Sequence, residues 1–385
     1  MSSVKPFVPV EDVHNIVEKY YSIVAKQVDE LVSYDDRNFR IQTKIEPGTT
    51  SNEDTIYLLK ISGFLEKKSE EILAIHNGIM QYLHEQGLLV QRPLLSVNGR
   101  TVETIELPTS HSDPVHRRCH TMRMLTYIPG QTWSSLTPLQ PEVYFEMGRF
   151  LAKLQKHLIE HYSTWKKPME EHLWTLSNAP QALQYLNTIE DDQKRQLGQQ
   201  VLDYFLSQYA ERLPVTMWTP GIQDAEFPIG LIHGDPNDLN IVMRTIPRID
   251  STQEKFEFGI LDWEDCSVSR RIYDLALMLM YAMCTEGPCC ATRLAELGAA
   301  IIRGFNTEAR DYGMPITDAE TQALPALVAA RFAQSLIMGH YTSIVSNPGD
   351  QYALTTAKQG GWKKLQSLWI DDKEIYSTEW EKATF

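Results

Sequence analysis

No stretch of this chain is apolar for long enough to cross a bilayer. The longest run, around Leu275–Met283, is far short of the roughly 20 residues a spanning helix needs. The opening segment, MSSVKPFVPVEDVHNIVEKYY, has no apolar run of signal-peptide length, so the expected address is cytoplasmic. Basic residues are in deficit: 36 Lys and Arg against 50 Asp and Glu, a formal net charge of −14. A broad nucleic-acid or anionic-membrane surface needs a basic stripe, so neither partner is expected. Cysteine is scarce. The five residues Cys119, Cys266, Cys284, Cys289 and Cys290 form no C-x-x-C and read as reduced thiols rather than a disulfide framework. The eleven histidines fall at no zinc spacing. Neither G-x-S-x-G nor a P-loop G-K-[ST] occurs, which removes two common enzyme classes. Internal repeats and low-complexity tracts are absent too.

What is present suits an ordinary globular chain: 385 residues, 43% hydrophobic, enough for lobes with cores of their own. The first ~125 residues mix the two periodicities. Residues 13–24 have helical spacing, 31–33 and 38–42 read as short strands around the turn SYDDRN, and TIYLLKIS at 55–62 is a strong strand. Residues 69–86 are helical and stop at Gly87. Residues 91–118 hold polar, turn-rich segments suited to a hairpin, and HTMRMLTY at 120–127 is a strand ended by Pro129–Gly130. Helical patterns then dominate, at 141–161, 180–186, 191–213, 271–285, 291–307, 317–346 and 350–370, interrupted by a strand-rich stretch at 229–263. The expected class is α+β: a small β-rich N-lobe, 1–127, that covers a nucleotide, and a large helical C-lobe, 128–385, that carries a polar loop. The acidic residues of 231–265 would line a cleft between the lobes, a usual home for a ligand.

Three pieces carry chemistry. HGDPNDLN at 233–240 brings Asp235, Asp238 and Asn240 into one loop, GILDWED at 259–265 ends an apolar strand in Asp262, and Lys60 closes the strand TIYLLKIS. Phosphoryl transfer needs such a set: an aspartate to take the hydroxyl proton, an asparagine and a second aspartate to hold Mg²⁺, and a lysine to neutralise phosphates. A hairpin joining 241–243 to 258–262 would bring Asn240 and Asp262 together at its open end. A lone HGD means little. HGD-x4-N followed about twenty residues later by an apolar strand ending in Asp is far more specific.

These motifs resemble the aminoglycoside phosphotransferase/choline kinase group, which shares the protein-kinase-like two-lobed fold. The His-Gly-Asp start, in place of the His-Arg-Asp of protein kinases, is the form used by small-molecule kinases. The resemblance implies Asp235 as catalytic base, Asn240 and Asp262 as Mg²⁺ ligands, Lys60 on the phosphates and Asp274 as a structural aspartate. SYDDRNF at 33–39, TYIPG at 126–130, HGDPNDLN, ARFAQSL at 330–336 and TAKQGGWKKL at 356–365 occur in the order found in the hydroxylysine kinase family. That likeness implies transfer of the γ-phosphate of GTP, or ATP, to the side-chain hydroxyl of 5-hydroxy-L-lysine. Kinases of homoserine, choline or an aminosugar, and a non-catalytic nucleotide-binding protein, remain the alternatives.

Kinases of this fold pair the strand lysine with an acid on the next helix. The matching position here is Ala74, and Glu70 or Glu71, one turn earlier, could substitute. The turn at 33–39 has no glycine, so side chains such as Arg37 or Asn38 would meet the phosphates. The hinge at Thr126 and Tyr127 would offer backbone groups, which carry no code for guanine over adenine. An acceptor with two ammonium groups and one carboxylate calls for acids and a guanidinium. Asp238 and Asp265 are candidates for the first, and Arg331, amid apolar residues, for the second or for a salt bridge between helices. Trp174 and Trp263 line the pocket or pack in the core.

Overall fold

The computed structural model describes residues 6–33, 36–43, 55–64, 70–110, 113–162, 173–210, 225–246 and 255–385. Residues 1–129 and 130–385 form two compact units. In the first, helix α1 (Val10–Tyr21) ends where Ser22 turns left-handed at φ 55°. Strands β1 (Ala25–Leu31), β2 (Arg37–Thr43) and β3 (Ile56–Phe64) follow, then α2 (Glu70–Glu85), β4 (Leu89–Val90), β5 (Glu103–Ser110) and β6 (Asp113–Thr126). Five of the strands make an antiparallel sheet in the order β1-β2-β3-β6-β5.

Alternation decides what each face of this sheet carries. Phe39, Ile41, Leu59, Ile61, Met122 and Met124 join Val13 and Val17 of α1 in one buried cluster. Each such side chain stabilises the fold by roughly 1.5–3 kcal/mol relative to exposure. The intervening residues take the other face, where Lys60 stands between Asn38 and Arg123 in register. Arg123 Nη1 donates to Asn77 Oδ1 of α2 at 3.1 Å.

The second unit runs β7 (Gln131–Thr132), α3 (Trp133–Leu136), α4 (Pro141–Tyr162), a 3₁₀ stretch at Leu176–Thr188 and α5 (Asp192–Phe205). Strands β8 (Ile229–Ile232), β9 (Ile241–Ile246), β10 (Lys255–Ile260) and β11 (Ser267–Arg270) come next. Helices α6 (Ile272–Thr285), α7 (Ala291–Asp311), α8 (Asp318–Tyr341), α9 (Thr355–Lys358), α10 (Gly361–Gln366) and α11 (Lys373–Thr384) complete it. Strand β9 pairs antiparallel with β10 and β7, and β8 with β11. Helices α6 and α8 are buried on nearly every side, as their all-round apolar composition requires. Among the described residues no helix is long and apolar enough to cross a membrane. All five cysteines are free thiols.

The join between α6 and α8 is ionic. Arg271 donates through Nε to Glu320 Oε1 at 2.9 Å and through Nη2 to Oε2 at 2.6 Å, with side chains only 5% and 0% exposed. The same guanidinium reaches the carbonyls of Met314 and Pro315, and Glu320 closes a capping box with Thr317 at the start of α8. Removing one partner strands a buried charge. Glu320→Ala is therefore expected to lower unfolding free energy by about 3–5 kcal/mol, read as a shift of the urea midpoint at constant slope. A midpoint within experimental error of the parent contradicts this.

Several features differ from the sequence pattern: the helix expected over 180–186 is a 3₁₀ stretch at Leu176–Thr188, and the one expected over 191–213 gives way after Phe205 to a π turn. The first strand lies at Ala25–Leu31, not 31–33, because α1 stops at Ser22 and the chain turns early. The helix expected over 350–370 is broken into α9, α10 and a π turn at Ser367–Asp371. The break falls at Gly360, whose φ of 77° no helix accommodates. Helix α11 was not anticipated: its buried Tyr376, Trp380 and Ala383 are helically spaced but sit in a polar sequence.

Candidate active site

The site in the second unit is built from the end of β8 onward. Asp274, in the first turn of α6, is fully buried and accepts the N–H groups of His233 at 2.9 Å and Gly234 at 2.8 Å. Burial pushes its carboxyl up to about 6, against the pull of those two donors. The chain then needs a residue without a side chain. Gly234 has φ 87°, and a Cβ there would stand 2.8 Å from the Asp265 carbonyl carbon and nearer still to its oxygen.

His233 locks the loop to the strand opposite. Its Nε2 lies 3.0 Å from the Leu261 carbonyl oxygen, which can only accept, so Nε2 carries the proton. Nδ1 is then a lone pair and accepts the Asp235 N–H at 3.3 Å. One neutral tautomer satisfies both contacts. Burial lowers the imidazole to about 4, and Trp263, 1% exposed, packs edge-on at 4.8 Å.

The Asp235 carboxylate is held from both ends. Oδ2 accepts from Asn237 Nδ2 at 2.6 Å and Asn240 Nδ2 at 3.2 Å, and Oδ1 from Arg331 Nη2 at 3.2 Å. Asn237 was missed by the motif reading. Its Oδ1 accepts the N–H groups of Leu239 and Asn240, both at 2.8 Å, so it braces loop and carboxylate together. The available signal was an Asx residue two positions after an aspartate, a type that closes turns on backbone N–H groups. Burial, with Asp265 and Asp262 nearby, raises Asp235 to about 7 although Arg331 opposes the shift.

The hairpin brings the second acid alongside. Ile241 pairs with Ile260, and one step further Leu261 N–H donates to Asn240 O at 2.9 Å. Asp262 follows at φ 60°, a left-handed conformation that is costly for a residue with a side chain and collects at functional sites. Asp238 is 7% exposed, and burial raises it to about 6. Tyr281 and Tyr352 were not anticipated. Burial raises both hydroxyls, Asp235 adds to each, and Asp238 and Asp262 add to Tyr352. No sequence pattern marks either one. Trp174 lies under the Arg331 guanidinium, 5.5 Å from it.

In the first unit Lys60 Nζ is 3.9 Å from Asp36 Oδ2, with side chains 4% and 5% exposed. The Gly63 N–H donates to Asp36 Oδ1 at 3.2 Å. This carboxylate comes from the turn before β2, not from α2, and Glu70 pairs with Arg100. Tyr34 and Asp35 of the same turn lie outside the described residues. Arg37 is engaged by Glu30 at 2.6 Å and by the Pro6 and Val8 carbonyls. The N–H groups of Thr126 and Tyr127 donate to Arg92 O and Ile56 O.

Residues 34–314 match the phosphotransferase enzyme family, APH, and the chain belongs to that family. It is a small-molecule kinase, a phosphotransferase with an alcohol group as acceptor. It is similar to hydroxylysine kinase of Xenopus laevis, 29% identical over 382 residues that cover 98% of this chain and 94% of that protein. The hydroxylysine kinase of Mus musculus is 28% identical, covering 98% and 96%. Among solved structures, an amicoumacin kinase in complex with AMP-PNP and Ca²⁺ superposes with TM-score 0.64 at 16% identity, covering 94% of each chain. A microcompartment-associated aminopropanol kinase gives 0.63 at 14%, covering 96% and 99%. The fold is thus protein-kinase-like, a β-rich unit followed by a mainly helical one.

Proposed function

We propose that this kinase transfers the γ-phosphate of Mg²⁺-bound GTP, or of ATP, to the side-chain hydroxyl of 5-hydroxy-L-lysine. One observation carries the mechanism: a carboxylate, Asp235, whose two oxygens are fixed by Asn237, Asn240 and Arg331 in a loop that is itself tied down by Asp274 and His233. The acceptor is supported by the likeness to hydroxylysine kinases over 98% of the chain.

Asp235 accepts a hydrogen bond from the substrate hydroxyl as its oxygen attacks the γ-phosphorus. The proton passes to the carboxylate while the bond to the bridging oxygen of the leaving diphosphate breaks. Lys60, buried against Asp36, holds nucleotide phosphates. Asp238 and Asp265 meet the substrate's ammonium groups. The donor set fits Mg²⁺. Asn240 and Asp262 would supply the hard oxygens that such an ion prefers, with the Asn240 nitrogen already turned to Asp235. When bound, the ion neutralises charge that develops on the transferred group.

The test is a phosphate-donor assay of 5-hydroxylysine, homoserine, choline and an aminosugar with Mg²⁺·GTP and Mg²⁺·ATP. 5-Hydroxylysine with GTP is expected to give the highest kcat/KM. A higher value for any other acceptor overturns the substrate assignment. If neither nucleotide produces a metal-dependent thermal shift, the enzyme mechanism itself is overturned.

The same base sets a pH dependence. Asp235 works deprotonated and is raised to about 7, so activity is present above that value and lost as pH falls through it. A kcat/KM profile should climb by one log unit per pH unit below about 7, not below the ordinary carboxylate value near 4. A flat profile from pH 5 to 8 contradicts a buried carboxylate base of this kind.

A further inference from the structure

We infer that Arg331 is a positioning residue for the base Asp235 and does not receive the substrate's carboxylate, a reading that rests on the proposed reaction. Arg331 sits in α8, 2% exposed, and its donors are directed inward. Nη1 donates to the Trp174 carbonyl at 2.7 Å and to Gln334 Oε1 at 3.0 Å. Nη2 donates to Asp235 Oδ1 and to the Tyr281 hydroxyl, both at 3.2 Å. Each terminal nitrogen has two hydrogens, so four acceptors of this chain account for all four; the fifth donor, the Nε–H, is buried without a partner and by itself cannot form a two-pronged clamp.

A bidentate clamp on a substrate carboxylate needs two parallel N–H groups from the fork. Here neither terminal nitrogen has one to offer without breaking a bond inside the protein. The plane is fixed as well: Trp174 and Tyr281 hold the guanidinium at 5.5 and 5.8 Å from their ring centres, and Gln334 is anchored by its own donation to the Leu173 carbonyl at 2.9 Å. A guanidinium held at both terminal nitrogens and packed near two aromatic rings is a rigid strut.

What the strut holds is the rotation of the Asp235 carboxylate. Asn237 and Asn240 grip Oδ2, and Arg331 grips Oδ1. Without Arg331 the group is fixed at one oxygen only and turns about its χ2 axis. General-base transfer is sensitive to such displacement, with a misplacement of an ångström costing about 10²-fold. Tyr281 belongs to the same assembly through its hydroxyl.

The experiment compares Arg331→Met and Arg331→Lys with the parent on two acceptors, 5-hydroxylysine and 1,5-diaminopentan-2-ol, which lacks the carboxylate. The positioning role predicts a kcat loss of about 10²-fold for Arg331→Met, equal for both acceptors, with KM little changed. It also predicts partial recovery of kcat when guanidinium ion is added. A rise in KM confined to 5-hydroxylysine, absent for the diamine, overturns the inference and returns Arg331 to the substrate carboxylate. Parent-like kinetics in both variants overturns it as well. If Arg331→Met does not fold, the same split is read from Arg331→Lys, which keeps the charge and the stem but loses the planar fork. If the parent phosphorylates neither amine, the acceptor assignment fails by itself. The Arg331 comparison is then made on hydrolysis of the nucleotide by water, where equal rates in parent and variants overturn it.

Discussion

Asp235→Asn is expected to lower kcat by about 10²–10⁴-fold while the affinity for Mg²⁺·nucleotide stays close to that of the parent. The two side chains have nearly the same shape, so the loop keeps its Asp274 and His233 anchors. An amide, however, cannot take the proton from the attacking hydroxyl. It also fits its own surroundings poorly. The carboxylate is approached only by donors, Asn237 and Asn240 on one oxygen and Arg331 on the other. An amide must turn its NH₂ toward one of these sets, leaving a buried donor unsatisfied at about 1–3 kcal/mol. Melting should therefore shift modestly while turnover collapses. Single-turnover phosphoryl transfer and nucleotide titration on the same preparation read both quantities. Retained turnover with lost nucleotide binding would remove Asp235 from the role of base.

The loop was legible because its chemistry is local. HGDPNDLN places Asp235 and Asn240 in one turn, and the two strands that follow, 241–246 and 255–260, carry the β-branched and aromatic residues that pair them in the observed register. The α+β class followed from the same periodicities. What stayed hidden depends on contacts between distant positions. Arg331 meets Asp235 across 96 residues, and no spacing rule reports whether a buried arginine faces a ligand or a neighbour. Asp36 reaches Lys60 from the turn before β2, while the pattern expected an acid on α2, where Ala74 stands. Tertiary packing also overrode local signals. Helix α11 forms on a polar sequence because Trp380 lies against Gly298, where a Cβ would stand 2.5 Å from the indole nitrogen, and its Nε1 donates to the Ala295 carbonyl at 3.2 Å.

Gly234→Ala is the other substitution with a large expected effect, although it adds a single methyl group outside the reacting atoms. Two penalties act together. The backbone at φ 87° is left-handed, a region where a Cβ costs about 1–2 kcal/mol. The methyl would also press on the Asp265 backbone, with the carbonyl carbon at 2.8 Å. That obstacle is main chain, so no rotamer change relieves it. The loop must move away or the 262–266 segment must yield, and either motion separates groups that now work together. Withdrawal of the loop stretches the Gly234 and His233 bonds to Asp274, now 2.8 and 2.9 Å, and carries Asp235 with it. Retreat of Asp265 displaces its neighbour Asp262. A shift of about 1 Å in either carboxylate should cost kcat about 10²-fold, and the variant should unfold at lower denaturant than the parent. The measurement pairs steady-state kinetics with urea unfolding. If the alanine variant turns over at the parental rate, the carboxylate's placement does not depend on the tight passage of chain at Gly234. If it loses stability but not kcat, the loop relaxes without moving its base, and the rigidity argued for Asp235 fails.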